Sequence, residues 1–280
     1  IEAPSQDKTI RIEYFVSLGK KFVMDTNLPL RSGISDLEWE ARIDLAAAFR
    51  LVDMHGWSDL LATHLSARVP DTDDHFLINP FGMLFEEITA SSLIKIDGDG
   101  NILSESAYGF NPAGFVIHSA VHMARNDAIC VFHTHTEAGV GVATQEEGLL
   151  PFTQHALAVL AHTGYHDYEG IAMDEDERTS IAHDLADNNI LILRNHGLLT
   201  VGQTVGETFM WLYRAERACR MQIAFQQTGA KPKDIPTNLQ DATYEQNRFN
   251  NSEDGYRTIG KLEWPALLRK LDRIDSSYKS

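Results

Sequence analysis

The sequence predicts one three-layer α/β/α domain with a mixed central β-sheet. Ile129-Cys130-Val131-Phe132 and Ile190-Leu191-Ile192-Leu193 are continuous apolar runs of strand length, as in strands covered on both faces. Segments of helical period lie around and between them, so helices and strands interleave. The 280 residues, 43% of them hydrophobic, suffice to bury such a core without disulfide staples.

Residues 1–34 read as a mixed N-terminal arm. Ser35-Asp36-Leu37-Glu38 then reads as a capping box, with Ser at the cap and Glu three positions later. Leu37, Ala41, Leu45, Ala48, Phe49 and Val52 follow at helical spacing, and Gly56 stops the run. Phe76-Leu77-Ile78 and Leu93-Ile94-Lys95-Ile96 are short strand candidates, and Asp97-Gly98-Asp99-Gly100-Asn101 is a turn. Pro112 suits the first turn of a helix running to about Arg125. The acidic segment Asp174 to Glu177 reads as a solvated helix start. The longest helix starts at Thr204, with Glu207 completing a second capping box, and Gly229 ends it.

These elements set the main domain at residues 35–229. Lys231 to Asp254 is polar and reads as a surface excursion. Leu262, Trp264, Leu267, Leu268 and Leu271 restore an apolar pattern. Residues 230–280 are therefore expected to form a C-terminal extension packed on the body or on a neighbouring subunit.

Charge and cysteine usage narrow the function. Lys and Arg number 24 against 40 Asp and Glu, a formal net charge of −16. That balance disfavours nucleic acid and anionic membrane surfaces as partners, because both need clustered cations. No apolar run approaches the ~20 residues needed to span a bilayer, and no secretory-type segment is read at the start. Cys130 and Cys219 lie in apolar surroundings and outside any C-x-x-C pair. Both read as buried thiols of a reducing compartment, so the expected location is cytoplasmic.

The chemistry stands at the ends of the two apolar runs. The first ends in His133-Thr134-His135, and residues two apart on a strand share a face. The second ends in Arg194-Asn195-His196-Gly197. Ligand sites of α/β sheets gather at strand carboxyl ends, so His133, His135 and His196 can meet there. Three neutral imidazoles suit one divalent metal, Zn first, with Fe, Mn or Co as alternatives, and leave a coordination position open.

Several segments between about Leu45 and Gly229 resemble the class II aldolase/adducin family. They are Phe49-Arg50-Leu51-Val52-Asp53, Gly56-Trp57-Ser58, Ser66-Ala67-Arg68, Phe76-Leu77-Ile78-Asn79-Pro80-Phe81-Gly82, His133-Thr134-His135-Thr136 and Arg194-Asn195-His196-Gly197-Leu198. Gly164-Tyr165-His166-Asp167-Tyr168-Glu169-Gly170-Ile171 resembles the adducin branch in particular. The resemblance implies a homotetramer with the site near a subunit interface, with Tyr165 to Tyr168 near a neighbouring subunit. It also implies metal-assisted cleavage of a carbon–carbon bond, the cation polarising a substrate carbonyl.

The sequence departs from the sugar-phosphate aldolases of that family at one segment. Where they carry a Pro-Ser-Ser-Glu-like stretch before a helix histidine, this chain reads Asn111-Pro112-Ala113-Gly114 ahead of His118. The acid/base Glu position is Gly114, a serine position is Ala113, and the family's Gly-Asn phosphate-loop position reads Thr63-His64. The departure points to a small anionic, non-phosphorylated 2-oxo or hydroxy-carbonyl substrate. It also leaves Gly114 as open space beside the metal.

A replacement acid/base is then needed, and His64, His155 and Tyr165 are the candidates. His118 and His122 stand at i, i+4 on a helix. One of them is expected to face the core or the metal ligands, and the other solvent. Met210, Trp211 and Tyr213 read as core or interface. The leading function is an aldolase- or decarboxylase-like lyase. One alternative is a non-haem iron oxygenase that oxidatively decarboxylates aryl-pyruvate or mandelate-type acids, as superfamily members of aminocoumarin biosynthesis do. The other is a non-enzymatic interaction protein resembling an adducin head.

Overall fold

Helix α1 (Asp36–Met54) starts where Ser35 accepts a hydrogen bond from the Glu38 backbone N–H at 3.1 Å. The expected reciprocal half of the box does not form. The Glu38 carboxylate turns inward, to Arg42 Nε and Lys95 Nζ, each at 2.9 Å. Leu37, placed on the helix's apolar stripe from its spacing, is exposed. The computed structural model describes residues 33–170, 175–252 and 254–280. The arm up to residue 32 and Asp174 fall outside them.

The strands are β1 (His64–Arg68), β2 (Phe76–Ile78), β3 (Ile94–Ile96), β4 (Cys130–Thr134), β5 (Thr163–His166), β6 (Ile190–Leu193) and β7 (Gly197–Gly202). They form one mixed sheet in the order β3-β2-β1-β4-β7-β6-β5. Among the described residues only β5 and β6 pair in parallel. β4 and β6 each pair antiparallel with β7, so they run the same way and their carboxyl ends share one edge. β1 runs against β4, with His64 opposite His133, so β1 begins at that same edge.

Side-chain alternation divides the core in two. Cys130 and Phe132 of β4, with Ile190 and Ile192 of β6, join the main cluster. That layer holds α1 and α6 (Val205–Gln226). Val131, Leu191 and Leu193 face the other way, toward α2 (Pro112–Ala124) and α5 (Glu175–Leu185). The remaining helices are α3 (Glu137–Ala143), α4 (Gln154–Leu160), α7 (Thr237–Asn251) and α8 (Glu263–Ile274). Both cysteines are free and buried.

Two stretches add to the sequence expectation. The polar excursion after Lys231 contains α7, which buries no side chain. Tyr165 and His166, quoted above for a resemblance, belong to a strand. They lie on β5, because Thr163–His166 pairs with Ile190–Leu193. The C-terminal residues Ile259, Trp264, Leu271 and Tyr278 belong to the main core of the same chain. Among the described residues no helix is long and apolar enough to cross a membrane.

Candidate metal centre

The β4 and β6 ends bring three histidines together. His133 is on β4, His135 follows it, and His196 sits in the tight β6–β7 turn, where Asn195 takes a φ of 58°. One ligand nitrogen from each lies within 4.8 Å of the others. The ring centroids are 4.6–4.8 Å apart. Gly197 is needed beside them, because a β-carbon there would stand 2.4 Å from the Thr134 carbonyl oxygen.

Outer hydrogen bonds orient two of the rings. His133 Nδ1 donates to the Leu198 carbonyl at 3.0 Å, a bond only a protonated Nδ1 can make. Its Nε2 therefore carries the lone pair. His135 Nδ1 stands 3.1 Å from Asp59 Oδ2, the carboxylate–histidine arrangement common behind metal ligands. The two Nε2 atoms converge at 2.8 Å. Burial, reinforced by neighbouring histidines, holds His133 well below the ordinary histidine pKa. Burial also lowers His196, to about 4. Neutral imidazole is the form that ligates, so lone-pair direction and protonation state both fit a divalent cation.

His64 reaches this centre. Its ring is 5.1 Å from that of His133, and its Nδ1 is 2.8 Å from His118 Nε2. Gly114 does not leave open space beside the three histidines, contrary to the sequence expectation. His64 fills that volume, since a β-carbon on Gly114 would stand 2.5 Å from His64 Cδ2. His118 and His122 do not divide between core and solvent either. Both are buried against β1, joined through Ser66 Oγ at 2.5 and 2.7 Å. The polar face of β1, His64 and Ser66, gives α2 polar partners where an apolar strand would exclude them.

The other acid/base candidates lie elsewhere. The Tyr165 hydroxyl accepts from the Leu149 N–H at 3.0 Å, and Arg194 stacks 4.4 Å above its ring. These contacts fasten the 145–150 loop. His155 is exposed near the start of α4 and lines a cavity with Arg214, Tyr256 and Arg257, which none of the three metal-candidate histidines lines. Met210 and Trp211 are core residues, and Tyr213 is half-buried. His166 shares a small cavity with His196, and its Nδ1 is 2.8 Å from Asp184.

Sequence reasoning missed Asp59 and Ser66. Asp59 sits in a loop with no periodic signal. Ser66 could have been found from His64, since residues two apart on one strand share a face.

Comparison with known proteins bears on the family and the fold. The family model described as Class II Aldolase and Adducin N-terminal domain matches residues 43–223. An aldolase II superfamily protein from Pseudomonas syringae is 45% identical, with a TM-score of 0.83 over 89% of this chain and 99% of that one. L-fuculose 1-phosphate aldolase from Glaciozyma antarctica is 26% identical, with a TM-score of 0.75 over 87% and 93%. Rat alpha-adducin is 40% identical over 244 residues, which are 83% of this chain and 33% of that protein.

Proposed function

The chain belongs to the class II aldolase and adducin family, and from that premise we propose that it is a metal-dependent lyase cleaving a carbon–carbon bond in a small, anionic, non-phosphorylated 2-oxo or hydroxy-carbonyl compound. The observation that carries this reading is the convergence of the His133 and His135 Nε2 atoms at 2.8 Å beside His196. These three residues would hold the cation, Zn first, with Fe, Mn or Co as alternatives. When bound, a divalent cation supplies Lewis acidity at a substrate carbonyl.

The protein's own groups set the substrate class. Three neutral imidazoles bring no charge to offset the cation, so an anionic chelating substrate is favoured. Gly114 and Ala113 stand where the sugar-phosphate aldolases carry Glu and Ser, which supports a substrate without phosphate. The relative named L-fuculose 1-phosphate aldolase supports the reaction class. His64 is the residue placed to exchange a proton with substrate at its Nε2. The proposed assembly is a homotetramer, for which light scattering should give four times the chain mass.

The test is pyruvate release from a panel of 4-hydroxy-2-oxo acids, with protein loaded separately with Zn, Mn, Co or Fe(II). Release that stops with chelator and is lost in His135→Ala supports the reading. Oxygen uptake on an aryl 2-oxo acid, without cleavage of any aldol, would replace it with the oxygenase alternative.

A further inference from the structure

We propose that Ser66, His118 and His122 are positioning residues that fix His64 in a single tautomer, so that its Nε2 is offered to the substrate as a hydrogen-bond acceptor for a hydroxyl group. The proposal rests on the lyase reading for the identity of the substrate, and on geometry alone for the tautomer.

The four side chains form one hydrogen-bonded string. His64 Nδ1 is 2.8 Å from His118 Nε2, and His118 Nδ1 is 2.5 Å from Ser66 Oγ. Ser66 Oγ is 2.7 Å from His122 Nε2, and His122 Nδ1 is 2.7 Å from the Ala128 carbonyl oxygen. No member is more than 3% exposed, so water does not compete for these bonds. Burial without a counter-ion also disfavours charge on the rings.

The carbonyl at the far end sets every proton. A carbonyl oxygen can only accept, so His122 must carry its proton on Nδ1. The His122 Nε2 is then an acceptor, and the Ser66 hydroxyl donates to it. That hydroxyl has one hydrogen, so Ser66 Oγ must accept from His118 Nδ1–H. His118 Nε2 is left as an acceptor, and His64 Nδ1–H donates to it. The His64 Nε2 is left with a lone pair.

That lone pair lies where the site needs a proton acceptor. Among the described residues no hydrogen bond engages His64 Nε2. The atom lies 2.8 Å from where a β-carbon on Gly114 would be, in the volume that the missing side chain gives to the ring. The His64 ring packs on that of His133. A substrate held at the three histidines can therefore present a hydroxyl to an oriented acceptor. Cleavage of an aldol requires that its hydroxyl lose a proton as the carbon–carbon bond breaks. The proton passes to Nε2, the hydroxyl carbon becomes a new carbonyl, and the bonding pair goes to the fragment with the original carbonyl, which is left as its enolate. A substrate without the hydroxyl leaves the lone pair unmatched, which is how such sites reject deoxy analogues.

The protonation of His118 decides which way the His64 bond runs. A second proton on His118 would reverse the His64 bond and make His64 Nε2 a donor. Two-bond 1H–15N correlation spectra of histidine-labelled, metal-free protein distinguish the two forms. The expected result is Nδ1–H for His64, His118 and His122. In Ser66→Ala, His122 should keep that form, held by Ala128, while His118 and His64 become mixtures. An Nε2–H His64 in the wild type overturns the proposal without any variant. Unchanged spectra in a folded Ser66→Ala protein would also overturn it.

A second readout is binding of 4-hydroxy-2-oxobutanoate and its deoxy analogue 2-oxobutanoate to zinc-loaded protein by calorimetry. The wild type should favour the 4-hydroxy acid, and Ser66→Ala should lose about tenfold of that preference, the effect of one misplaced hydrogen bond. Ser66→Thr, which keeps the hydroxyl, should restore it. Equal binding of the two acids by the wild type overturns the hydroxyl assignment. Binding of neither acid overturns the substrate class and the lyase reading together, while the tautomer is still decided by the spectra.

Discussion

Gly114 and His64 share one volume. A β-carbon on Gly114 would lie 2.5 Å from Cδ2 and 2.8 Å from Nε2 of the imidazole, inside any normal contact distance. Gly114→Ala should improve helix propensity by roughly 0.5–1 kcal/mol. It should also overpack the site at a cost of about 1–3 kcal/mol. Denaturant midpoints should therefore show net destabilisation in the wild type and net stabilisation in a His64→Ala background. The same sign in both backgrounds would mean that the two residues are not coupled.

Asp59 would act on the proposed cation through His135. Its carboxylate holds Nδ1 at 3.1 Å and so aims Nε2 at the cluster. Asp59→Asn should weaken metal affinity about 10–100-fold, measured by competition with a chromophoric chelator. His135→Ala should abolish loading. Asp59 is largely exposed, so Asp59→Asn should leave the melting temperature of metal-free protein unchanged. Unaltered affinity in Asp59→Asn would remove it from the site.

Glu216 gives the protein a pH-dependent stability. Burial pushes its carboxyl up to about 7, although the Thr136 hydroxyl donates to it at 2.5 Å. The folded state holds this proton more tightly than the unfolded chain. Stability from Glu216 is full below the ordinary glutamate value, falls between about 4.5 and 7, and is flat above. The loss is at most about 3 kcal/mol. Glu216→Gln should flatten that part of the profile and be the more stable protein above pH 7. A wild-type profile without a decline in that window would contradict this.

Glu38 has the opposite sign. Burial alone would raise its pKa, but hydrogen bonds from Lys95 and Arg42, with their charges, hold it below the ordinary value. Its contribution is present above the ordinary glutamate pKa and lost as pH falls through the lower folded value. Arg42 also donates to the Ala90 and Leu93 carbonyls, at 3.2 and 2.8 Å, tying α1 to the loop before β3. Glu38→Ala strands a buried guanidinium and should cost about 3–5 kcal/mol in urea unfolding. A cost below 1 kcal/mol would show that water reaches Arg42.

The parts legible in the sequence were those with a signal on both faces of an element. β4 and β6 are apolar on two sides, and their terminal histidines stand out against that background. β1 was legible only through the family resemblance of Ser66-Ala67-Arg68 and not by its pattern, because only Leu65 and Ala67 enter the main core, while His64 and Ser66 face α2. β7 was missed because Asn195 turns the chain so tightly that Gly197 seemed to end a strand, where it begins the next. Helical spacing put His118 and His122 on one face, but only the neighbouring strand decides that both are buried. The collision between Gly114 and His64 is a long-range packing fact, invisible in the spacing of either segment.

The most direct test of the account is metal content per chain, measured by mass spectrometry on purified wild type and His196→Ala after incubation with Zn, Mn, Co or Fe(II). The account predicts close to one bound metal per wild-type chain, and less than about a tenth of that in the variant, with both proteins folded by circular dichroism. Equal occupancy in the two proteins, or no retention of any of the four metals by the wild type, would contradict it.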